Sequence, residues 1–273
     1  MGLMRGRSAT ATAPAAPPAP VAPTAPAAPE SPPRASVLLA GAADMRELAR
    51  RPLAHQADRE RRDAMRSERA RTRFTASRVL AAELLERHDL PGPPRITADP
   101  LGRPLLPERC GLSVSISHTE SWIAVALSSS PSCGVDVQSP VDPARFTTVI
   151  LERFLPPGWV DLLDRELDPT RRFTRMWASV EAGLKWHGTG FAVGVDALDW
   201  RTDGLASRVT DPASGRSARI HVHDLDDGSA LAFASAPCAP RDVELGTLRE
   251  RLRLPDDTIR SPASPTLPGR GRP

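Results

Sequence analysis

The chain has 273 residues, a formal net charge of +3 and 40% hydrophobic residues, which is enough apolar content for one large domain or two small ones. No apolar run approaches the length of a membrane span. Three cysteines without CxxC spacing, Cys110, Cys133 and Cys238, argue against a disulfide framework or a zinc site and fit a reducing cytoplasm.

Residues 1–35 are mostly Ala and Pro, and Pro at every second or third position blocks both helix and sheet pairing. This stretch is expected to be a disordered extension. Arg5 and Arg7 precede its Ala-rich sequence, but no uninterrupted apolar segment follows, so export is not expected. Residues 255–273, rich in Pro, Ser and Arg, read as a second disordered tail, which leaves a foldable part of about 36–254.

Within that part, ASVLLA (Ala35 to Ala40) reads as a strand and Asp44 to Arg50 as a short helix. A charged region from Gln56 to Leu90 becomes amphipathic through Phe74, Val79, Leu80, Leu84 and Leu85. Its arginines, among them Arg66, Arg69, Arg71, Arg73 and Arg78, read as a solvated face paired with nearby acids, or as a face from which one or two reach a phosphate. Asp99 to Pro104 is a turn with Arg103 exposed at its tip. In LSVSISH, Leu112, Val114 and Ile116 alternate with Ser113, Ser115 and Ser117, the pattern of a half-buried strand, and His118 closes it. A second strand runs from Trp122 to Leu127. A third, CGVDV, carries Asp136 between two valines, where a carboxylate needs a cap, an Arg partner or a metal. After loop and short helix over Phe146 to Leu163 comes a long helix. Arg219–Val222 and Ser229–Ala234 then form a hairpin around Asp226-Asp227-Gly228. The order is α+β, with the same plan used twice.

The long helix, Asp168 to Gly190, has clear ends: Asp168 as N-cap, Pro169 at the first helical position, and Gly188 or Gly190 for a left-handed stop. Phe173, Met176, Val180 and Leu184 form a core-facing stripe. Trp177, Glu181 and Lys185 recur every four residues on an adjacent face. Lys185 is the chain's only lysine in a protein whose other cations, histidines aside, are arginines; on this helix alone it reads first as a surface i,i+4 pair with Glu181, and otherwise as a compact point charge suited to phosphate. Trp177 reads as a packing residue.

Taken together, Ser117-His118-Thr119, Gly134-Val135-Asp136-Val137-Gln138 and Trp177 to Lys185 followed by Gly188-Thr189-Gly190 resemble the 4′-phosphopantetheinyl transferases of the surfactin type. The Arg-rich helix with Phe74 to Arg78 and the Gly102-Arg103-Pro104 turn add to the likeness, which covers about 45–235. No single piece is specific; the ordered set is. The resemblance implies a pseudo-twofold pair of similar α+β halves, about 36–133 and 134–245, with the active site between them. It also implies Mg²⁺-dependent transfer of phosphopantetheine from coenzyme A to a serine of an acyl or peptidyl carrier protein, with release of adenosine 3′,5′-bisphosphate. In that reading Asp136, Glu181 and Gln138 hold the metal, Glu181 and Lys185 are catalytic, and Ser117, His118, Arg73 and Arg103 bind coenzyme A.

Two departures stand out. Gln138 stands where the family usually has an acid, and Val180 where it usually has Lys; Val180 falls on the core stripe and reads as packing. Both substitutions leave open an alternative, a catalytically weak or inactive relative that binds coenzyme A or carrier protein only. A nucleic-acid binder is the third reading, but the chain has no Tyr and six Phe, too few to interleave with its arginines. The expected protein is a cytoplasmic monomer with no nucleic-acid or membrane partner.

Overall fold

The computed structural model describes residues 35–88, 94–163, 167–202 and 207–236, and the backbone of 243–247. The Pro/Ala-rich extension but for Ala35, the C-terminal tail and Cys238 lie outside the described residues.

In chain order the elements are β1 (Ala35–Gly41), α1 (Ala42–Leu48), α2 (Gln56–Asp63), α3 (Glu68–Glu86), β2 (Thr97–Ala98), β3 (Pro104–Leu105), β4 (Ser113–His118), β5 (Trp122–Ser128), β6 (Cys133–Gln138), α4 (Thr148–Phe154), α5 (Val160–Leu163), α6 (Pro169–His187), β7 (Asp199–Thr202), β8 (Ser207–Thr210), β9 (Ser217–Asp224), β10 (Ala230–Ser235) and β11 (Val243–Thr247). The charged region read as one element is two helices, because Ser67 starts a new one by accepting the Ala70 N–H at 3.4 Å. The long helix has the ends its sequence predicts: the Asp168 carboxylate accepts the Arg171 N–H at 2.9 Å, and Gly188 stops the helix at φ +97°.

One plan is used twice. In the first half a strand (β1), a long helix (α3) and a hairpin (β4–β5) fold so that the last strand pairs antiparallel with the first, giving β1-β5-β4. In the second half β6, α6 and the β9–β10 hairpin give β6-β10-β9 in the same way. Two strands from polar sequence, DWRT and SRVT, widen the second sheet to β6-β10-β9-β8-β7; their short, charged runs carry no period-two signal in the sequence. The first sheet gains β11, which pairs parallel with β1. Residues 243–247 are therefore part of the first sheet, although the boundary drawn at 245 from sequence groups most of them with the second half.

Strands β1, β5, β6 and β10 each lie between two apolar layers, which is why they read as nearly continuous hydrophobic runs. Leu38, Ile123, Val125 and Leu127 face Leu80 and Leu84 of α3. Ala230, Ala232, Ala234 and Ile220 face Phe173, Val180 and Leu184 of α6. A third core, with Val37, Leu39, Ala124, Val135, Val137, Leu231 and Phe233, packs one sheet against the other.

The sheets also meet edge to edge, through serines. The Val135 N–H donates to Ser115 Oγ at 2.9 Å, and the Val137 N–H to Ser117 Oγ at 3.2 Å. Ser115 and Ser117 are 4% and 7% exposed, so β4 is buried on both faces, against the expectation of a half-buried strand. The hydroxyls satisfy the outward donors of the β6 edge, which buried backbone requires.

At Gly134 the strand touches α6. A Cβ there would fall 2.5 Å from the Trp186 amide nitrogen and closer still to the Ala182 carbonyl. Gly134→Ala is expected to lower stability by about 3 kcal/mol or more in urea denaturation, because backbone rather than a flexible side chain must yield; an unchanged midpoint would contradict the contact. On β9, His221 lies beside Phe233, and burial first, then the charges of Arg219 and His223, push its pKa from 6.5 to about 4. Between those values the unfolded chain holds a proton that the folded one does not, so stability falls as pH drops through that window and levels off below it. His221→Gln is expected to give a shallower acid loss in denaturation series between pH 7 and 4; an identical slope would show that His221 is not the titrating group.

Candidate active site

The close approach at Gly134 carries Asp136, two residues along β6, to the α6 face that bears Glu181 and Lys185. Asp136 is 2% exposed. Its Oδ1 accepts from Lys185 Nζ at 2.6 Å and from Ser117 Oγ at 2.7 Å. Its Oδ2 is buried with no hydrogen-bond partner. Of the three ways to keep a carboxylate in that strand, the partner is a cation, and it is Lys rather than Arg.

Glu181 stands on α6 one turn before Lys185. Its Oε1 accepts the Trp177 indole N–H at 2.7 Å, while Oε2 lies 3.7 Å from Lys185 Nζ. Burial first, and the Asp136 charge second, hold the Glu181 carboxyl above the ordinary range, against the opposing pull of Lys185 and the indole N–H. Two carboxylates crowded around one ammonium, with one buried oxygen unpaired, form a site short of positive charge.

These groups line a cleft of about 520 Å³ with Arg69, Arg73, His118, Glu120 and Gln138. A neighbouring hollow of about 430 Å³ shares Arg73, Ile116 and His118 with it and adds Arg61, Arg78 and Phe74. Arg73 Nε, like Asp136 Oδ2, is buried without a hydrogen-bond partner. Arg61 and Arg78 both stack on the Phe74 ring, with guanidinium carbons 5.4 and 4.9 Å from its centroid. Arg78 is fixed from behind by the buried Asp58, 3.6 Å from its Nε. Arg69 pairs with Glu120 at the cleft wall. His118 ends β4 in an exposed position; partial desolvation first, then the charges of Arg73 and Lys185, hold it below its ordinary value. One end of the cleft thus carries the two acids around Lys185, and the other is cationic.

The residues singled out from sequence fall as follows. Asp136, Glu181, Lys185, Ser117, His118, Arg73 and Gln138 all border the cleft. The Ser117 hydroxyl is engaged by Asp136 and the Val137 N–H. Gln138 donates its amide to the Ser139 carbonyl at 3.2 Å. Arg103 packs its guanidinium against Gly188 at the C-terminal end of α6 and is not among the described lining residues. Val180 is 1% exposed in the α6 core, as its stripe predicts. Sequence reasoning missed the indole donation from Trp177, whose four-residue spacing to Glu181 was the available signal. It also missed Arg61 and Glu120, which no local pattern distinguishes from other surface charges.

Among the described residues no three His, Cys, Asp or Glu side chains gather as a metal-ligand cluster. The donor set suits a hard divalent cation of another habit: Mg²⁺ takes one or two carboxylates and completes its shell with water and phosphate oxygens. The unpaired Asp136 Oδ2 and the raised Glu181 carboxyl are what such an ion would relieve. No described helix is long and apolar enough to cross a membrane.

The pairing with Lys185 is what makes the buried Asp136 tolerable. Lys185→Ala leaves that carboxylate with Ser117 alone and should cost about 1–3 kcal/mol in denaturant unfolding at pH 7, with Asp136→Asn in the same background restoring part of the loss. An additive double mutant would show that the two groups do not support each other.

Two proteins of Bacillus subtilis align with the chain. One is named 4′-phosphopantetheinyl transferase ffp and is 29% identical over 156 residues, 55% of this chain and 67% of that protein. The other is named 4′-phosphopantetheinyl transferase and is 30% identical over 156 residues, again 55% of this chain and 67% of that protein. No protein-family model matches the chain.

Proposed function

The chain belongs to the 4′-phosphopantetheinyl transferase family, and on that footing we propose that it transfers the phosphopantetheine arm of coenzyme A to a serine hydroxyl of an acyl or peptidyl carrier protein. The observation that carries the reading is the cleft itself: Asp136, Glu181 and Lys185 at one end and Arg73 and His118 at the other match a pyrophosphate with a nucleotide attached.

In the proposed reaction the carrier serine Oγ attacks the pyrophosphate phosphorus that bears the pantetheine arm. A new P–O bond forms to the serine, and the bond from that phosphorus to the bridging oxygen breaks. Adenosine 3′,5′-bisphosphate leaves with the bond's electron pair. Such transfers ask the protein mainly for positioning and charge. Glu181 takes the serine proton, directly or through one water. Lys185, held at 2.6 Å from Asp136, presents its ammonium to the pyrophosphate and the leaving oxygen. Arg73 and His118 hold the phosphates of the nucleotide, and the unpaired Arg73 Nε supplies one donor. Asp136 and Glu181 would hold Mg²⁺, with Gln138 offering an uncharged amide oxygen where relatives carry an acid. When bound, the ion supplies neutralising charge to the pyrophosphate.

An apo carrier protein incubated with this protein, coenzyme A and Mg²⁺ is expected to gain the mass of one phosphopantetheine arm, read by intact-mass spectrometry. Glu181→Ala is expected to slow the gain by about 100-fold or more. Unmodified fatty-acid, polyketide and peptide carriers, with a folded wild-type protein that still binds coenzyme A, would overturn the proposal in favour of a binding-only relative.

A further inference from the structure

Aromatic residues are scarce in this chain, 4% in all, yet four of its six phenylalanines surround one tryptophan. Phe146 stacks on the Trp177 ring with an interplanar angle of 10° and a centroid distance of 6.4 Å. Phe173 sits at 5.7 Å, and Phe154 and Phe191 each at 6.0 Å. These rings come from four places: the loop before α4, the end of α4, α6 itself, and the turn after it. Hydrophobic packing alone does not require an indole at their centre; a phenylalanine would fill much the same space. What an indole adds is one directed donor, and here that donor ends on Glu181 Oε1 at 2.7 Å.

A glutamate has three side-chain torsions, and fixing them costs rotamer freedom. Besides the indole, Glu181 faces the Asp136 carboxylate and Lys185. Its second oxygen lies 3.7 Å from Lys185, whose own side chain is 30% exposed on a flexible stem. The more rigid partner is the half-buried indole, which packs against the rings around it.

We propose that Trp177 is a positioning residue: its indole N–H, clamped by Phe146, Phe154, Phe173 and Phe191, pins Glu181 Oε1 and leaves Oε2 turned to the cleft for the metal and the carrier serine. This rests on the role given to Glu181 above. The indole acts on the carboxylate as a carbonyl or carboxylate acts on a metal-bound histidine, fixing which atom faces the ion. A packing role alone would tie Trp177 to stability and leave ion affinity untouched.

The test separates donor from ring. Trp177→Phe keeps aromatic packing and removes the N–H. 3-Benzothienylalanine placed at position 177 keeps the indole's shape and removes the same donor, and serves if the Phe variant folds poorly. Mn²⁺ affinity in the presence of coenzyme A, read by electron paramagnetic resonance without turnover, is expected to fall about 10-fold in either variant, with a comparable loss of kcat. Coenzyme A affinity should stay within about twofold and the melting temperature within about 2 °C. Wild-type Mn²⁺ affinity and kcat in the donor-less variants, beside an inactive Glu181→Ala, would overturn this inference alone. A Glu181→Ala variant as active as wild type would overturn it together with the site assignment beneath it.

Discussion

A carboxylate in the seam between two sheets sets the terms for the rest of this protein. Asp136 is almost fully buried, and its Oδ1 is held at once by Ser117 from the first sheet and by Lys185 from α6. A buried charge persists only if its partners are held in place, and these come from two separate elements, β4 and α6. The two halves therefore cannot drift apart without stranding it. The same arrangement leaves Oδ2 unpaired and Glu181 crowded, so the site is built with a deficit of positive charge that a divalent ion bound with an anionic substrate would fill.

Small residues make that geometry reachable. Gly134 lets β6 touch the α6 backbone, and Ala230, Ala232 and Ala234 keep the neighbouring strand equally low under the helix. Gly183 on α6 takes the ring of Trp200 at a position where a Cβ would fall 2.5 Å from the indole. The helix is set close to the sheet along its central turns, where Glu181 and Lys185 lie. Close packing transmits position: where backbone meets backbone, the side chains two residues on have little room to choose.

The cationic hollow beside the cleft is organised differently. Arg61 and Arg78 flank the Phe74 ring, and Arg78 is backed by Asp58. These guanidinium groups are planar, weakly hydrated and pre-oriented, which suits phosphate recognition better than a row of mobile lysines would. The lone lysine is used at the opposite end, where a compact charge must serve Asp136 and Glu181 together. The division between Arg and Lys thus follows the cleft's own polarity.

Much of this was present in the sequence. The ends of α6, its core stripe with Val180, the face shared by Trp177, Glu181 and Lys185, and the β9–β10 hairpin are local facts of spacing and capping, and a helix or turn of that strength forms wherever it is placed. The ordered motifs also carried the family likeness. Other features depended on what came to lie alongside. The serines of β4 alternate as a solvated face should, and only the arrival of β6 turned them into a buried seam. Strands β7 and β8, short and charged, exist because β9 offered an edge. Arg103, exposed at a turn by its sequence, rests against Gly188 because the β2–β3 hairpin meets the end of α6. The indole of Trp177 is a donor in any sequence, but two of the rings that pack it, Phe146 and Phe154, come from outside α6. Period and capping are written in neighbours along the chain; which polar atom finds which partner is decided by residues far apart in it, and only the tertiary structure brings those together.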